Sequence, residues 1–516
     1  MKSTTLVSFI LGGLTFGQPS FRVGQRVETS SGSVLGQAAS RAPQVSEYLG
    51  IPFAEPPLGD LRFAPPQPYL SKNSINATAL GFSCPIASTY TELLQPREDA
   101  GLNFTVAGAY IMKTIAQSGE KHSEDCLTLN VWTKAQTGEK NKAVLVWFYG
   151  GGFVAGSSSS PFYNGARLAE EQDVIIVSIN YRITIFGFPG ITGAQNIGLL
   201  DQRLAVEWVR DNIAGFGGDP ERITIFGESA GGVAVDVWTY AWVSNPIVAG
   251  FIAQSGTAQS EAPYTPDAAL QLWANATSML GCGNATSDAT QQLSCMRAMP
   301  LLNITRVISD LPNFIHSIDD QIVFPDYPER STSGNFIKKP MIVGHTDYEA
   351  AMFDIPARLR GIVLPAEYWA NYELKTFFCP AATRANVSAA WNVPIWRYRY
   401  FGEFPNMNIS TTINAKAYHG AEVNPLFDTL PEGEGIPAFT KAELLIAKNM
   451  RRAWAAFAKD PEKGLLAREF DGAWPLFDPT RKSLIRLGYN SSADTSLASA
   501  ANYDAACGSI FPVQRV

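Results

Sequence analysis

The stretch Gly227-Glu228-Ser229-Ala230-Gly231 has the residue types and spacing to hold a nucleophile. Arg222 to Phe226 before it reads as a short buried strand, and Gly232 to Val243 after it is an apolar run long enough for a buried helix. Strand, sharp turn and helix with a serine at the apex is the setting of a nucleophile elbow, where glycines keep side chains out of the close passage of strand and helix. Two glycines around a serine also occur in plain turns; the strand before and the helix after decide for the elbow. A serine hydroxyl at neutral pH is a poor nucleophile and needs an imidazole, itself oriented by a buried carboxylate. The chain has 4 histidines. His122 lies in an insert between two cysteines, His316 in an excursion expected to be helical, and His345 just after an expected strand. His419, in Tyr418-His419-Gly420-Ala421-Glu422, lies downstream of every expected strand but the last. The order serine, acid, histidine places the base on such a late loop, so His419 is the expected base.

Two carboxylates compete for the third position. The strand Met341-Ile342-Val343 runs into Gly344-His345-Thr346-Asp347-Tyr348-Glu349, and either Asp347 or Glu349 could hold an imidazole. Gly150-Gly151-Gly152, directly after a strand, offers backbone amides unobstructed by side chains, as an oxyanion requires. Gly150-x-Gly152-x-x-Ala155 also fits a relaxed dinucleotide fingerprint, but that reading needs a helix to begin here, and Ser157 to Ser160 followed by Pro161 does not form one.

These groups must be positioned by a large sheet. Buried strands alternate with helices through the middle of the chain: strands at 143–148, 173–179, 222–226, 250–256, 339–343, 393–400 and 483–487, and a helix at 199–213 with Leu200, Leu204 and Trp208 on one face. This is the pattern of an α/β sheet covered on both faces. Two excursions, 263–338 and 355–390, read as helical insertions over the edge of the sheet where ligands bind. Thr440-x-x-Glu443 is a capping box opening a helix through Lys459, with Leu444, Ala447, Met450, Trp454 and Phe457 expected in the core.

The 516 residues carry a net charge of -7 with no basic cluster, which argues against nucleic acid as a partner. Met1-Lys2 followed by the apolar run Leu6 to Phe16 reads as a secretory signal peptide over residues 1–17, leaving 18–516 as one catalytic domain. No later run is long enough to span a membrane and the C-terminus carries no anchor signal, so the expectation is a soluble, secreted protein. The eight sequons at Asn76, Asn103, Asn275, Asn284, Asn303, Asn386, Asn408 and Asn490 fit glycosylation in that compartment. The 6 cysteines, Cys84, Cys126, Cys282, Cys295, Cys379 and Cys507, form no C-x-x-C pair. They read as three disulfides rather than a metal site, in any of about fifteen connectivities.

Several ordered segments together resemble the type B carboxylesterase family, which includes cholinesterases, fungal lipases and bile-salt-type lipases. They are Gly50 to Pro57 with Arg62-Phe63, Ser123-Glu124-Asp125-Cys126, Tyr149 to Phe153, Asn180-Tyr181-Arg182, Gly198 to Arg203, Phe216 to Pro220 and Gly227 to Gly232. The resemblance covers nearly all of the chain after the leader. It implies an α/β-hydrolase fold, with a large mostly parallel sheet, helices on both faces and helical insertions over an active-site gorge. It implies a triad of Ser229, Glu349 and His419, and an oxyanion hole from the amides of Gly151, Gly152 and Ala230. At the acid the chain departs from the family twice: Tyr348 and Ala350 stand where an aspartate and a glycine are usual. Glu349 is chosen over Asp347 by its distances from Gly344 and Phe353. The resemblance further implies the pairs Cys84–Cys126, Cys282–Cys295 and Cys379–Cys507, and structural ion pairs of Arg62 with Glu124 and Arg182 with Asp201.

The expected function is a secreted serine carboxylic ester hydrolase working through an acyl-enzyme without cofactor or metal, on a small-molecule or lipid ester. The alternatives are a triglyceride or sterol-ester lipase with a lid, and a non-catalytic cholinesterase-like binding protein, against which every catalytic position is filled. A serine carboxypeptidase would carry G-E-S-Y-A-G at the elbow. Choline esters need an aromatic face for the ammonium, which the family supplies as a tryptophan in the first disulfide loop; residues 85–125 contain none. That loop, with Leu93, Leu94, Phe104 and Ile111, is either a lid or a packed flap.

Overall fold

The computed structural model describes residues 21–96, 101–135, 141–413 and 415–510; the expected signal peptide and the C-terminal Phe511 to Val516 lie outside the described residues. Eleven strands form one mixed sheet. In chain order they are β1 (Gln37–Ala39), β2 (Ala42–Pro52), β3 (Thr128–Lys134), β4 (Lys142–Phe148), β5 (Ile175–Ile179), β6 (Gly218–Glu228), β7 (Gly250–Gln254), β8 (Met341–Thr346), β9 (Ile395–Tyr400), β10 (Lys482–Leu487) and β11 (Ser496–Ser499). Their spatial order is β11-β10-β9-β8-β7-β6-β4-β5-β3-β2-β1. Pairings from β5 through β10 are parallel, and the antiparallel ones lie at the two edges. Strands β4, β5 and β7 are buried at every position, which a sheet covered on both faces requires. A small three-stranded sheet from the N-terminal region stands beside it.

Where the winding direction reverses, the functional loops fall together. From β4 the chain steps to β5 on one side and then returns to β6 on the other, so β4 and β6 are neighbours with Phe148 opposite Gly227. The loops leaving their C-terminal ends diverge and leave a crevice, the usual ligand position in open α/β sheets. Gly150 to Gly152 leave β4 there, and Ser229 leaves β6.

The helical insertions are present as Pro266–Met279, Ala289–Ala298, Leu301–Val307 and Tyr327–Thr332, and as Ala351–Leu359, Ala366–Glu373 and Cys379–Ala390. The capping box forms at Thr440 and Glu443 and opens the helix Lys441–Lys459. Ala447, Met450, Trp454 and Phe457 are buried, but Leu444 is 45% exposed; with Leu445 it lies off the face that Glu443, Ile446 and Ala447 bury. Two further expectations are corrected. His345 lies inside β8 rather than after it, because the strand continues to Thr346. The sheet also does not end at β10: Ser496–Ser499 folds back antiparallel as β11, a short edge strand with little apolar content to signal it.

Disulfides join Cys84 to Cys126, Cys282 to Cys295 and Cys379 to Cys507. Arg62 makes a two-pronged buried pair with Glu124, 2.6 and 2.5 Å, and Arg182 does the same with Asp201, 2.8 and 2.7 Å. Arg62 also donates to the carbonyls of Met296, Arg297 and Met299, fastening the first insertion to the N-terminal region. These groups lie away from Ser229 and are scaffold.

Candidate active site

Ser229 separates β6 from the helix Ala230–Ala241 with φ 58° and ψ −125°, a backbone conformation strained for a residue with a side chain. Two close approaches fix the turn. A Cβ on Gly231 would collide with the carbonyl oxygen of Phe148, and one on Gly150 would come within 2.7 Å of the Ser229 Cβ. Gly231 and Gly150 must therefore lack side chains if β4, the serine and the helix are to pack at this distance. The Ser229 amide donates to the carbonyl of Gln254 at 2.9 Å, which ties the turn to the end of β7.

His419 and Glu349 meet at the same place. His419 Nδ1 stands 2.5 Å from Glu349 Oε2. The other carboxylate oxygen, Oε1, accepts from Ser255 Oγ at 2.7 Å and from the Thr346 amide at 2.8 Å. Glu349 is fully buried, and its turn is held by its neighbours: the Tyr348 amide donates to Ala417 O and the Ala350 amide to Glu373 Oε1. Asp347 is turned away from the imidazole and pairs with Arg399 at 2.7 Å.

The second imidazole nitrogen faces a different carboxyl. His419 Nε2 is 3.0 Å from Glu228 Oε1, but the two are misaligned, and among the described residues neither atom has a hydrogen-bond partner. The Ser229 hydroxyl likewise bonds to no described residue. Ser229 and His419 line one cavity, yet the serine–imidazole hydrogen bond expected of a triad is not made in this arrangement. Such bonds are often loose before substrate arrives.

Burial pushes the Glu228 carboxyl upward, against the pull of His419. Burial also acts on His419, downward, but the carboxylates of Glu228 and Glu349 outweigh it and raise the imidazole. Phe353 and Phe377 pack on the His419 ring with centroids 5.0 and 4.9 Å away. Phe377 reaches it from a π-helical turn, Leu374–Phe378, between two helices.

The cavity holds about 620 Å³. Leu94, Ile111 and Met112 of the Cys84–Cys126 loop form one wall, and the aromatic cluster around Phe353, Trp369 and Tyr372 another. Gly151 and Gly152, at φ 111° and 61°, and Ala230 line the floor. The amides of Gly151 and Gly152 donate to no acceptor among the described residues. That of Ala230 opens a helix, where the first amides have no intrahelical partner. All three residues line the cavity that holds Ser229, and no helix begins at Gly152; the first α-helix after it is Ala166–Gln172.

Several participants carry no motif in the sequence. Ser255 sits in the turn after β7 at φ 48°, and only its placement beside Glu349 makes it notable. Glu422 follows His419 by three residues and is buried, accepting from Gln254 Nε2 and Tyr398 OH at 3.3 Å each. Glu373 and Phe377 come from the second insertion.

A sequence model of the carboxylesterase family matches residues 24–359. The chain is 34% identical over 488 residues to a chlorogenic acid esterase of Aspergillus niger, covering 90% of each chain. It is 32% identical over 511 residues to secreted lipase 5 of Gibberella zeae, covering 91% of each. Among solved structures, a PNB esterase superposes with a TM-score of 0.76 at 25% identity, over 95% of this chain and 100% of that one. The architecture is that of an α/β-hydrolase.

Proposed function

The chain belongs to the carboxylesterase family and is a carboxylic ester hydrolase, and we propose that it is a secreted enzyme working through Ser229, His419 and Glu349 with a covalent acyl-enzyme. The observation that carries this reading is the buried His419–Glu349 contact opening onto the cavity that holds the strained Ser229. Ser229 Oγ attacks the ester carbonyl carbon while His419 Nε2 takes its proton; Glu349 holds Nδ1–H and stabilises the imidazolium. The carbonyl oxygen becomes an oxyanion facing the amides of Gly151, Gly152 and Ala230. Collapse of the intermediate breaks the bond to the alcohol oxygen, which leaves with the proton from Nε2. Water then attacks the acyl-serine, giving its proton to Nε2, and the acid departs as Oγ regains a proton.

Secretion is supported by three disulfides and by sequons whose asparagines are exposed at 76, 103, 275, 284, 303, 408 and 490, with Asn386 half-buried. We place the catalytic domain at residues 18–516, with 1–17 as a removed leader; one continuous sheet supports a single domain. A lipase is the second reading. Ile362 and Tyr368, at the cavity mouth, are 48% and 47% exposed, an apolar rim that a lipid surface would cover.

The test is direct. Ser229→Ala and His419→Ala each lower kcat on a simple ester by about 10⁴ to 10⁶ without loss of fold, and an organophosphorus reagent labels Ser229. A folded Ser229→Ala protein with full activity, or labelling at another residue, refutes the assignment.

A further inference from the structure

The cavity's charge is unevenly placed. Along one wall, the helix Ala351–Leu359 and the residue that follows it present Phe353, Pro356, Ala357 and Arg360, spaced i, i+3, i+4, i+7 on a single face. Phe353 touches the imidazole of His419. Arg360, seven residues on, stands roughly 10 Å further along the helix direction at 1.5 Å per residue. Among the described residues it is the only lysine or arginine lining the cavity. It is exposed, and its guanidinium makes no ion pair or hydrogen bond among the described residues, whereas Arg358 beside it is committed to Asp354 at 2.9 Å.

The acids of the cavity do not neutralise it. Glu228 lies at His419, and Glu120 is held by Ser83 and Gln117. Glu261 acts on Tyr264 and Tyr372. The charge of Arg360 acts instead on Tyr90, whose hydroxyl is pushed up to about 12 by burial and drawn back by that guanidinium. A cation held at the end of an apolar, aromatic helix face that starts at the reacting imidazole is set to meet an anion on the far end of a bound ester, and guanidinium offers a planar two-pronged match to carboxylate.

We propose that Arg360 is a specificity-determining residue that binds a carboxylate of the substrate, so that the preferred substrates are monoanionic esters whose charge lies at the end remote from the scissile carbonyl. The inference rests on Ser229 being the nucleophile. The carboxylate presents the same chemistry whether it belongs to the alcohol or to the acyl half of the ester.

Two matched pairs of esters test it in the intact protein. The alcohol side is probed by the acetate of para-(hydroxymethyl)benzoic acid against that of the corresponding benzamide. The acyl side is probed by the monoethyl ester of suberic acid against that of its half-amide. The readout is the acid-to-amide ratio of kcat/KM. Arg360→Gln lowers this ratio by about tenfold in at least one pair, the scale of a charge-assisted hydrogen bond at a solvated site. Arg360→Lys keeps part of it, and added salt reduces the wild-type ratio. A fall confined to one pair supports the inference and says which half carries the charge. Ratios that Arg360→Gln leaves unchanged in both pairs, with all four esters hydrolysed, overturn this inference alone. A wild-type protein that hydrolyses none of the four overturns the reading of Ser229 and this inference with it.

Discussion

Replacing Glu349 by glutamine is the most informative single change at the site, because the hydrogen bonds around it dictate how the amide must sit. Glu349 Oε1 accepts from Ser255 Oγ and the Thr346 amide, and Oε2 faces His419 Nδ1. In Glu349→Gln the two fixed donors hold the amide oxygen on the Oε1 side, so its NH₂ group is aimed at Nδ1. An imidazole receiving a proton at Nδ1 carries its own hydrogen on Nε2 and can no longer accept one from Ser229. The variant therefore loses both the correct tautomer and the charge that stabilises the imidazolium, and the comparable loss in serine hydrolases is about 10⁴ in kcat. We expect a fall of about 10³ to 10⁴ in kcat on a neutral chromogenic ester, with thermal unfolding showing the fold retained. Asp347→Asn is the control. Asp347 pairs with Arg399, its side chain is 26% exposed, and it does not contact His419, so losing its charge costs up to about 1 kcal/mol of stability and leaves kcat within a small factor. An Asp347→Asn protein slower than Glu349→Gln, or a Glu349→Gln protein keeping more than about a tenth of its activity, refutes the reasoning.

Glu228→Gln removes one of the three carboxyls whose charge raises His419; since the base must be neutral and activity falls as pH drops through its pKa, the acid limb of kcat/KM moves to lower pH, and an upward move refutes the electrostatic account. For the loop closed by Cys84 and Cys126, rate on a short-chain ester saturates smoothly through its solubility limit. The loop is laced by backbone bonds of Thr105 to Ile409 O and Thr411 to Asn103 O, with Ile111 and Met112 already buried while Leu93 is 38% exposed. A sharp jump in initial rate at the solubility limit shows a mobile lid and favours the lipase reading.

What was legible in the sequence was local. The elbow announces itself because strand, serine, glycines and helix are contiguous, and Glu349 can be placed by counting from Gly344 to Phe353 along one connection. Alternating apolar runs give the sheet for the same reason: each strand of a doubly covered sheet is a continuous apolar segment. Residues that act only through long-range packing left no such trace. Ser255 reaches the site from the β7–β8 connection and Glu373 and Phe377 from the β8–β9 connection, and nothing in their own neighbourhoods distinguishes them from ordinary turn, helix and core positions. Leu444 shows the opposite failure. Its spacing from Ala447 matches a buried face, but the face that packs runs through Glu443, Ile446, Ala447 and Met450, and Leu444 lies off it beside the equally exposed Leu445.

The identity of the acid illustrates what geometry adds beyond spacing. Three buried carboxyls, Glu228, Glu349 and Glu422, surround one imidazole, and three like charges in a dry site cannot all ionise together. Hydrogen-bond donors decide between them. Glu228 Oε1 and Glu422 Oε2 have no hydrogen-bond partner among the described residues, and burial pushes both groups towards the neutral acid. Glu349 alone meets a hydroxyl, a backbone amide and an aligned imidazole nitrogen, so it is the carboxyl placed to orient His419. The donors come from the turn after β7, the end of β8 and the loop after β9, so the set of partners that Glu349 receives is a property of the sheet order. It follows that moving Ser255 or the Thr346 amide would release Glu349 Oε1 and with it the hold on His419.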